Sequence, residues 1–313
     1  MLLARWCDML KYLRIIKSMM TDESQWWRYV RATPVLRLLP DKYYLKKYFK
    51  FRTGYELNLK NPQTFNEKLQ WLKLYNKNPE YTKMVDKYEV RQYIKEKIGD
   101  EYLIPLAGGP WDRFDDIDFS MLPDQFVLKC THDSGGVAIC RDKSEFDING
   151  VREKFNYSLK RNYFYYGREW PYKNVKPRII AEKYMMDESG MEPRDYKIFN
   201  FHGEPKVIQV DIDRFTNHRH NYYSPAWEFM NVYINDPNDP DIVIERPSKL
   251  DELLDLAKKL SQGIPHVRTD FYIVGDKILF GELTFFHEGG MGRFYPSEFG
   301  KQMGAWLRLP DKR

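Results

Sequence analysis

Asp270 and Glu282 are two carboxylates whose spacing could bind a cation. They lie in Val267-Arg268-Thr269-Asp270-Phe271 and Phe280-Gly281-Glu282-Leu283-Thr284, with a turn signal at Gly275-Asp276 between them. A hairpin about that turn brings the two carboxylates together on neighbouring strands. Unpartnered, they repel, and one takes up a proton. A hard cation that bridges them and nucleotide phosphates resolves the conflict. Arg268, on the opposite strand face from Thr269, is then placed to steady charge on a transferred phosphoryl group.

Two further segments suit a nucleotide. In Phe126-Val127-Leu128-Lys129-Cys130-Thr131-His132-Asp133-Ser134-Gly135-Gly136 an apolar strand delivers a lysine, and a polar glycine turn follows. Successive backbone N–H groups in such a turn can cradle a phosphate, glycine lets the backbone come close, and the lysine adds a point charge. The turn lacks the GxxxxGK[ST] spacing of a Walker A loop. Arg178-Ile179-Ile180-Ala181-Glu182-Lys183-Tyr184-Met185 is a strand ending in a glutamate, an aromatic and a methionine. It reads as a hinge for adenine and ribose.

A different chemistry is signalled by Asp211-Ile212-Asp213, at the end of the apolar strand Val207–Val210. Metal-dependent glycosyltransferases hold a nucleotide-sugar diphosphate through such a pair, so Asp211 and Asp213 define the alternative reading. His202, His218 and His220 have no cysteine cluster beside them and do not suggest zinc. Asp270-Phe271-Tyr272 lacks the H-R-D loop that a protein kinase would add. Gly289-Gly290-Met291-Gly292-Arg293, after the second carboxylate strand, has the composition of a pocket-forming turn.

These segments need strands to carry them. Short strands are expected at Tyr102–Pro105, Gln125–Cys130, Gly136–Cys140, Arg178–Tyr184, Tyr196–Phe201, Lys206–Val210, Phe271–Val274 and Lys277–Leu283. Helices are expected across 40–80, with a capping-box start at Thr64-Phe65-Asn66-Glu67, and at Lys87–Lys97 and Leu250–Gln262. The mixture predicts α+β layers.

The 313 residues, 42% hydrophobic and 30% charged, are enough for a core and for two or three lobes. Three cysteines without a CxxC pair exclude a disulfide framework and suit a reducing cytoplasm. No apolar run is long enough to span a membrane. Residues 1–60 hold 13 Lys and Arg against 5 Asp and Glu, while the rest is nearly neutral. Within them, Leu2, Trp6, Met9, Leu13, Ile16 and Met20 form one helical face flanked by Arg5 and Lys17. Residues 1–25 are therefore expected either to lie on an anionic membrane surface or to pack on the protein itself. No recognised motif supports nucleic-acid binding.

Taken in order, the segments resemble the ATP-grasp superfamily over roughly residues 80–295. Asp86-Lys87 matches its DK element, Lys129 with Ser134-Gly135-Gly136 its strand lysine and glycine loop, and Glu182 its hinge. Asp195-Tyr196-Lys197 is similar to its D-x-[RK] strand, and Arg268-Thr269-Asp270 with Glu282-Leu283-Thr284 to its metal strands. Thr284 stands where that pattern has asparagine. Asn61–Leu69, Lys129–Gly136 and Tyr166-Gly167-Arg168-Glu169-Trp170 further resemble the teichuronopeptide-biosynthesis-type branch, associated with capsules and other surface polysaccharides.

The resemblance implies an α+β ATP-grasp fold, two lobes enclosing ATP, with a helical N-terminal extension. The expected division is a helical basic region at 1–78, an N-lobe at 79–181 and a C-lobe at 182–313. Lys87, Lys129, Lys197 and the Ser134-Gly135-Gly136 turn would hold phosphates, and Glu182, Tyr184 and Met185 the nucleoside. Asp270, Glu282 and Thr284 would hold Mg²⁺, Arg268 would be catalytic, and Arg214, Gly289, Gly290 and Arg293 would border the second substrate. The implied reaction joins a carboxylate, such as a uronic acid or acidic amino acid, to an amine through an acyl phosphate. It would take place in the cytoplasm, with a peripheral position at the inner face of the plasma membrane if residues 1–25 bind lipid.

Overall fold

The computed structural model describes residues 37–186, 192–212 and 219–311. The amphipathic stripe at the start of the chain, together with Asp213, Arg214 and His218, lies outside the described residues.

Helix α1 (Asp41–Thr53) ends at Gly54, whose φ of 84° lets its N–H turn back to the Lys50 carbonyl. Helix α2 (Phe65–Tyr75) begins with the expected capping box. The Thr64 hydroxyl accepts from the Glu67 N–H at 3.3 Å, and the Glu67 carboxylate accepts from the Thr64 N–H at 3.0 Å. Helices α3 (Glu80–Val85) and α4 (Val90–Lys97) follow. The helix expected from Lys87 thus starts later. Asp86 Oδ1 accepts from the N–H groups of Tyr88 (2.8 Å) and Glu89 (3.3 Å), which holds Lys87 in the turn between α3 and α4.

The first sheet comprises β1 (Leu106–Trp111), β2 (Phe126–Cys130), β3 (Val137–Cys140) and β4 (Ile179–Lys183), all antiparallel in the order β1-β4-β2-β3. The strand expected at Tyr102–Pro105 is displaced. Asp100–Tyr102 is a 3₁₀ turn, and pairing begins at Leu106. Gly108, Gly109 and Pro110 disfavour a strand by composition, and β1 carries them at the sheet edge, where proline's missing donor is tolerated. Helix α5 (Ile148–Leu159) covers this sheet, and Phe114, Phe126, Leu128, Phe155 and Ile179 fill the core between them.

After the short helix α6 (Phe164–Gly167) comes the larger sheet. Its strands are β5 (Asp195–Phe201), β6 (Glu204–Ile212), β7 (Arg219–Tyr223), β8 (Phe229–Met230), β10 (His266–Val274) and β11 (Lys277–Thr284). They run in the order β11-β10-β5-β6-β7-β8. Helix α7 (Leu250–Ser261) packs on β5, β6 and β10 through Leu253, Leu256, Ala257 and Leu260. A two-stranded ribbon, β9 (Tyr233–Ile234) with β12 (Phe294–Tyr295), leads to helix α8 (Ser297–Trp306), which packs on α2. Tyr44, Phe49, Phe65, Leu69 and Ile94 belong to the same core as this sheet, so the described N-terminal helices are built onto it. Among the described residues, no helix is long and apolar enough to cross a membrane.

Candidate functional site

Strand alternation decides what the first sheet offers. In β2, Phe126, Leu128 and Cys130 point into the core, so Lys129 emerges on the other face. Its Nζ lies 2.5 Å from Glu182 Oε2 on β4, and Arg91 on α4 approaches the other oxygen at 3.9 Å. Lys87, Arg91, Lys129, Glu182, Phe280 and Gly281 line one recess between the sheets, bringing three expected site residues together.

The glycine turn after β2 is tied down from several sides. The Thr131 N–H donates to the Arg178 carbonyl (2.9 Å), Lys87 N–H donates to the Thr131 carbonyl (3.0 Å), and Lys87 Nζ donates to the Asp133 carbonyl. His132 bonds through Nε2 to the Ser158 carbonyl at 3.0 Å. The turn's own Asp133 stands where the expectation put a phosphate. The N–H groups of Gly135 and Gly136 donate to Asp133 Oδ1 at 3.3 and 2.9 Å. A Cβ on Gly136 would meet Cys130 Sγ at 2.6 Å, so only glycine fits there. Ser134 Oγ bonds the Tyr163 hydroxyl at 3.0 Å.

Tyr184 and Met185 do not themselves line the Lys129–Glu182 recess. The Tyr184 hydroxyl accepts from Arg141 Nε at 3.2 Å, and Met185 is half-buried.

On the larger sheet the register sets a polar row across four strands. Glu282 on β11 faces Asp270 on β10, Asp270 faces Lys197 on β5, and Lys197 faces Gln209 on β6. Directly opposed residues share a face, so these side chains project to the same side of the sheet. A bulge at Gly281 places Phe280 opposite Phe271 and Glu282 opposite Asp270. There a Cβ would press on the Asp270 carbonyl at 3.1 Å.

Arg268 organises the row. Its Nε and Nη2 donate to Asp270 at 2.7 and 2.6 Å, and Nη2 also reaches Glu282 Oε1 (3.3 Å) and Thr284 Oγ1 (3.1 Å). Its Nη1 donates to His287 Nδ1 at 2.6 Å. Burial and the Arg268 charge keep His287 well below the ordinary histidine range, so it is the neutral acceptor in that contact. Burial works against the Arg268 charge, but Asp270 and Glu282 hold the guanidinium proton more tightly than usual. Glu282 loses by burial, yet Lys87 and Arg268 together keep it below the usual carboxylate range.

Lys197 bonds Asp195 Oδ2 at 2.7 Å and Asp211 Oδ2, and Asp211 also takes His220 Nδ1 at 2.9 Å. Burial would raise Asp211, but His220 and Lys197 outweigh it and hold its carboxyl far below the ordinary range. Asp211 is thus committed to the same sheet face as Lys197.

The donors of the row are of the kind a hard cation takes, although among the described residues no group of three or more His, Cys, Asp or Glu could hold a metal ion. Asp270, Glu282 and the Thr284 hydroxyl supply oxygen only, with Thr284 Oγ1 fixed on Glu282 at 2.8 Å. Glu282 opens, with Lys87, Tyr172 and Gly281, onto a second recess beside the first. Arg268 now supplies the positive charge that two facing carboxylates need.

Helix α2 shapes the loop after β11. Asn66 Nδ2 donates to the Gly292 carbonyl (2.7 Å), Gln70 Nε2 to Gly289 (3.0 Å) and Gly290 (2.8 Å), and Lys73 Nζ to Gly289 (2.7 Å) and Gly167 (2.8 Å). Glu288, Gly289 and Gly290 all have positive φ, from 52° to 64°. A Cβ on Gly290 would lie 2.5 Å from Gln70 Nε2. Arg293 donates its backbone N–H to Asn235 Oδ1 at 2.9 Å. Buried Arg168 lies over the Tyr44 ring at 4.6 Å and 3.4 Å from Asp41. Asn66, Gln70, Lys73, Arg91, Tyr172 and His287 were not singled out by sequence reasoning. Their partners lie too far along the chain for spacing to show.

Several solved structures resemble this chain at low identity. PsnB, an ATP-grasp ligase complexed with minimal precursor, Mg and ADP, is similar at TM-score 0.40 and 11% identity, over 77% of this chain and 66% of that one. D-alanine–D-alanine ligase from Bacillus anthracis complexed with ATP gives 0.36 and 14%, over 70% and 55%. L-amino acid ligase from Bacillus licheniformis gives 0.39 and 16%, over 71% and 45%. This chain therefore spans less than two thirds of each. No curated protein matches the chain. The family model described as TupA-like ATPgrasp matches residues 67–308, the greater part of the sequence, and the chain belongs to the TupA-like ATP-grasp family.

Proposed function

We propose that this protein is an ATP- and Mg²⁺-dependent ligase that activates a carboxylate as an acyl phosphate and joins it to an amine. The observation that carries the reading is the polar row Glu282–Asp270–Lys197 beside Lys87 and Lys129. It combines an oxygen cation site with lysines suited to a triphosphate.

In this reading the lobes at 79–181 and 182–313 close on the nucleotide. Glu182 gives up Lys129 to phosphate and accepts from a ribose hydroxyl or the base amine, with Tyr184 and Met185 completing the nucleoside wall. Ser134, Gly135 and Gly136 turn their N–H groups from Asp133 to phosphate oxygens. Lys87 and Lys197 add charge near the transferred group. Mg²⁺, held by Asp270, Glu282 and Thr284, would neutralise phosphate charge. Arg268 steadies the phosphoryl group as it passes to the carboxylate oxygen, while its bond to Asp270 fixes its direction. Arg214 and the loop carrying Gly289, Gly290 and Arg293 border the second substrate. Closure of the lobes keeps water from the acyl phosphate.

The substrate class proposed is a uronic acid or acidic amino acid of a capsular or surface polysaccharide. The place of action is the cytoplasm, with residues 1–25 holding the enzyme to anionic lipid at the inner face of the plasma membrane. Binding to anionic vesicles that falls with salt and is lost on deletion of 1–25 tests that placement.

Family membership and the commitment of Asp211 to Lys197 and His220 favour the ligase over the glycosyltransferase reading. Thermal stabilisation by ligands separates the two. Mg²⁺–ATP should raise the melting temperature and UDP- or GDP-sugars should not; the opposite pattern would restore the transferase.

A further inference from the structure

The turn that carries Lys87 and the glycine turn after β2 are rooted in different cores. Tyr81 and Val85 on α3, with Val90 and Ile94 on α4, pack into the core of the larger sheet. Phe126, Leu128 and Cys130 on β2, with Ile179 and Ala181 on β4, pack into the core of the first sheet. Apolar packing therefore fixes each turn to its own sheet, and polar contacts must fix the turns to one another.

Arg178, at the entry to β4, makes such a tie. Its Nη2 donates to Asp86 Oδ2 and to Glu89 Oε1, both at 2.8 Å, and its guanidinium lies 4.9 Å from the centre of the Tyr88 ring. Asp86, Tyr88 and Glu89 flank Lys87 on both sides. The Arg178 carbonyl accepts from the Thr131 N–H at 2.9 Å, and the Thr131 carbonyl accepts from the Lys87 N–H at 3.0 Å. Side chain and backbone thus close one ring of contacts through Arg178, Asp86, Lys87 and Thr131, the residue that opens the glycine turn.

The Asp86 carboxylate is divided between two tasks. Its Oδ1 takes the N–H groups of Tyr88 and Glu89, which shapes the turn, and Oδ2 takes Arg178, which anchors it. The Asp86 side chain is 3% exposed and that of Arg178 12%, so water screens this pair little. Arg178 lines neither recess, whereas Lys87 lines both, so the arginine can reach a nucleotide only through the lysine.

We propose that Arg178 is a positioning residue for Lys87, an assignment that rests on the ligase reading above, in which Lys87 holds phosphate. It pins the α3–α4 turn to the start of the glycine turn, so that the Lys87 ammonium and the N–H groups of that turn face one triphosphate together. Lysine would be a poor substitute, because its compact ammonium has no planar face to lay over Tyr88 while it bridges two carboxylates.

A double-mutant cycle on the full-length protein tests this, read by calorimetric titration with ATP and Mg²⁺. Lys87→Ala alone should weaken ATP binding about tenfold, as for one charge-assisted contact, and Arg178→Gln alone about fivefold. In the Lys87→Ala background, Arg178→Gln should change the affinity by less than about twofold, because its effect passes through a group already removed. Asp86→Asn replaces Arg178→Gln in the cycle if the latter does not fold. Its amide oxygen still accepts from Tyr88 and Glu89, only the bond to Arg178 is lost, and the same pattern should appear. Equal losses with and without Lys87, or no loss when Lys87 is present, overturn the Arg178 assignment and leave the ligase standing. An unchanged affinity in Lys87→Ala removes the phosphate role of Lys87 and this assignment with it. A wild-type protein that does not bind ATP overturns the ligase reading itself.

Discussion

Asp270 on β10 stands directly across from Glu282 on β11, and the Arg268 guanidinium binds both, Asp270 through two bonds and Glu282 through one. The sharing is unequal. Asp270 is held by arginine, while Glu282 opens onto the recess with Lys87.

Glu282→Gln should therefore leave the fold intact and raise the Mg²⁺ concentration needed for ATP turnover by at least an order of magnitude, or abolish turnover. Asp211→Asn should act differently. It strips a buried lysine of one of its two carboxylates and should lower stability by about 3 kcal/mol, read by chemical unfolding. If Asp211→Asn changes the metal requirement and Glu282→Gln is silent, the row is misassigned.

Lys129→Ala should weaken ATP binding about ten- to a hundredfold, the range for one charge-assisted contact. It removes no core volume, because Lys129 points away from the packed face of β2. Calorimetric titration with ATP and Mg²⁺ measures this, and an unchanged affinity in a folded variant would refute a phosphate role.

Much of this site was legible because it rests on strand alternation. Arg268, Asp270 and Glu282 came together from a two-residue period and a turn at Gly275-Asp276, and the capping box at Thr64 and Glu67 followed from local pairing. Features that depend on distant partners were not legible. Strand β1 holds two glycines and a proline and forms because β4 offers an edge. Asp133 was read as part of a polar turn, but its carboxylate fills the cradle that its neighbours build. Asn66 and Gln70 look like surface residues of a helix until the fold brings Gly292 and Gly290 to them, more than 200 positions later.

Gly290→Ala tests that loop. Its φ of 64° is strained for any residue with a Cβ, and the added carbon would collide with Gln70 Nε2. Dependence of ADP release on the acid substrate should be lost or shifted to much higher concentration, while ATP affinity stays near wild type. A variant with normal acid dependence would show that the loop is remote from the second substrate.

Stability should fall in mild acid through His266. It is buried among Phe65, Phe199 and Phe201, and its Nδ1 bonds the Asn200 carbonyl. Burial lowers its pKa from 6.5 to about 3. The unfolded chain thus binds a proton that the folded chain refuses. The contribution is fully present above pH 6.5 and is lost as pH falls toward 3. Within that window the residue should account for about 1.4 kcal/mol of stability per pH unit. Urea unfolding of wild type and His266→Gln across that range should show a shallower slope in the variant; parallel slopes would contradict the burial argument.

The most direct test of the central claim is chemical. The full-length protein is incubated with ATP, Mg²⁺, hydroxylamine and a series of uronic acids and acidic amino acids, and hydroxamate and nucleotide products are measured together. The account predicts hydroxamate with one class of acid and an equal amount of ADP that depends on that acid. AMP with pyrophosphate, or no ATP turnover with any carboxylate while a nucleotide sugar is consumed, would contradict it.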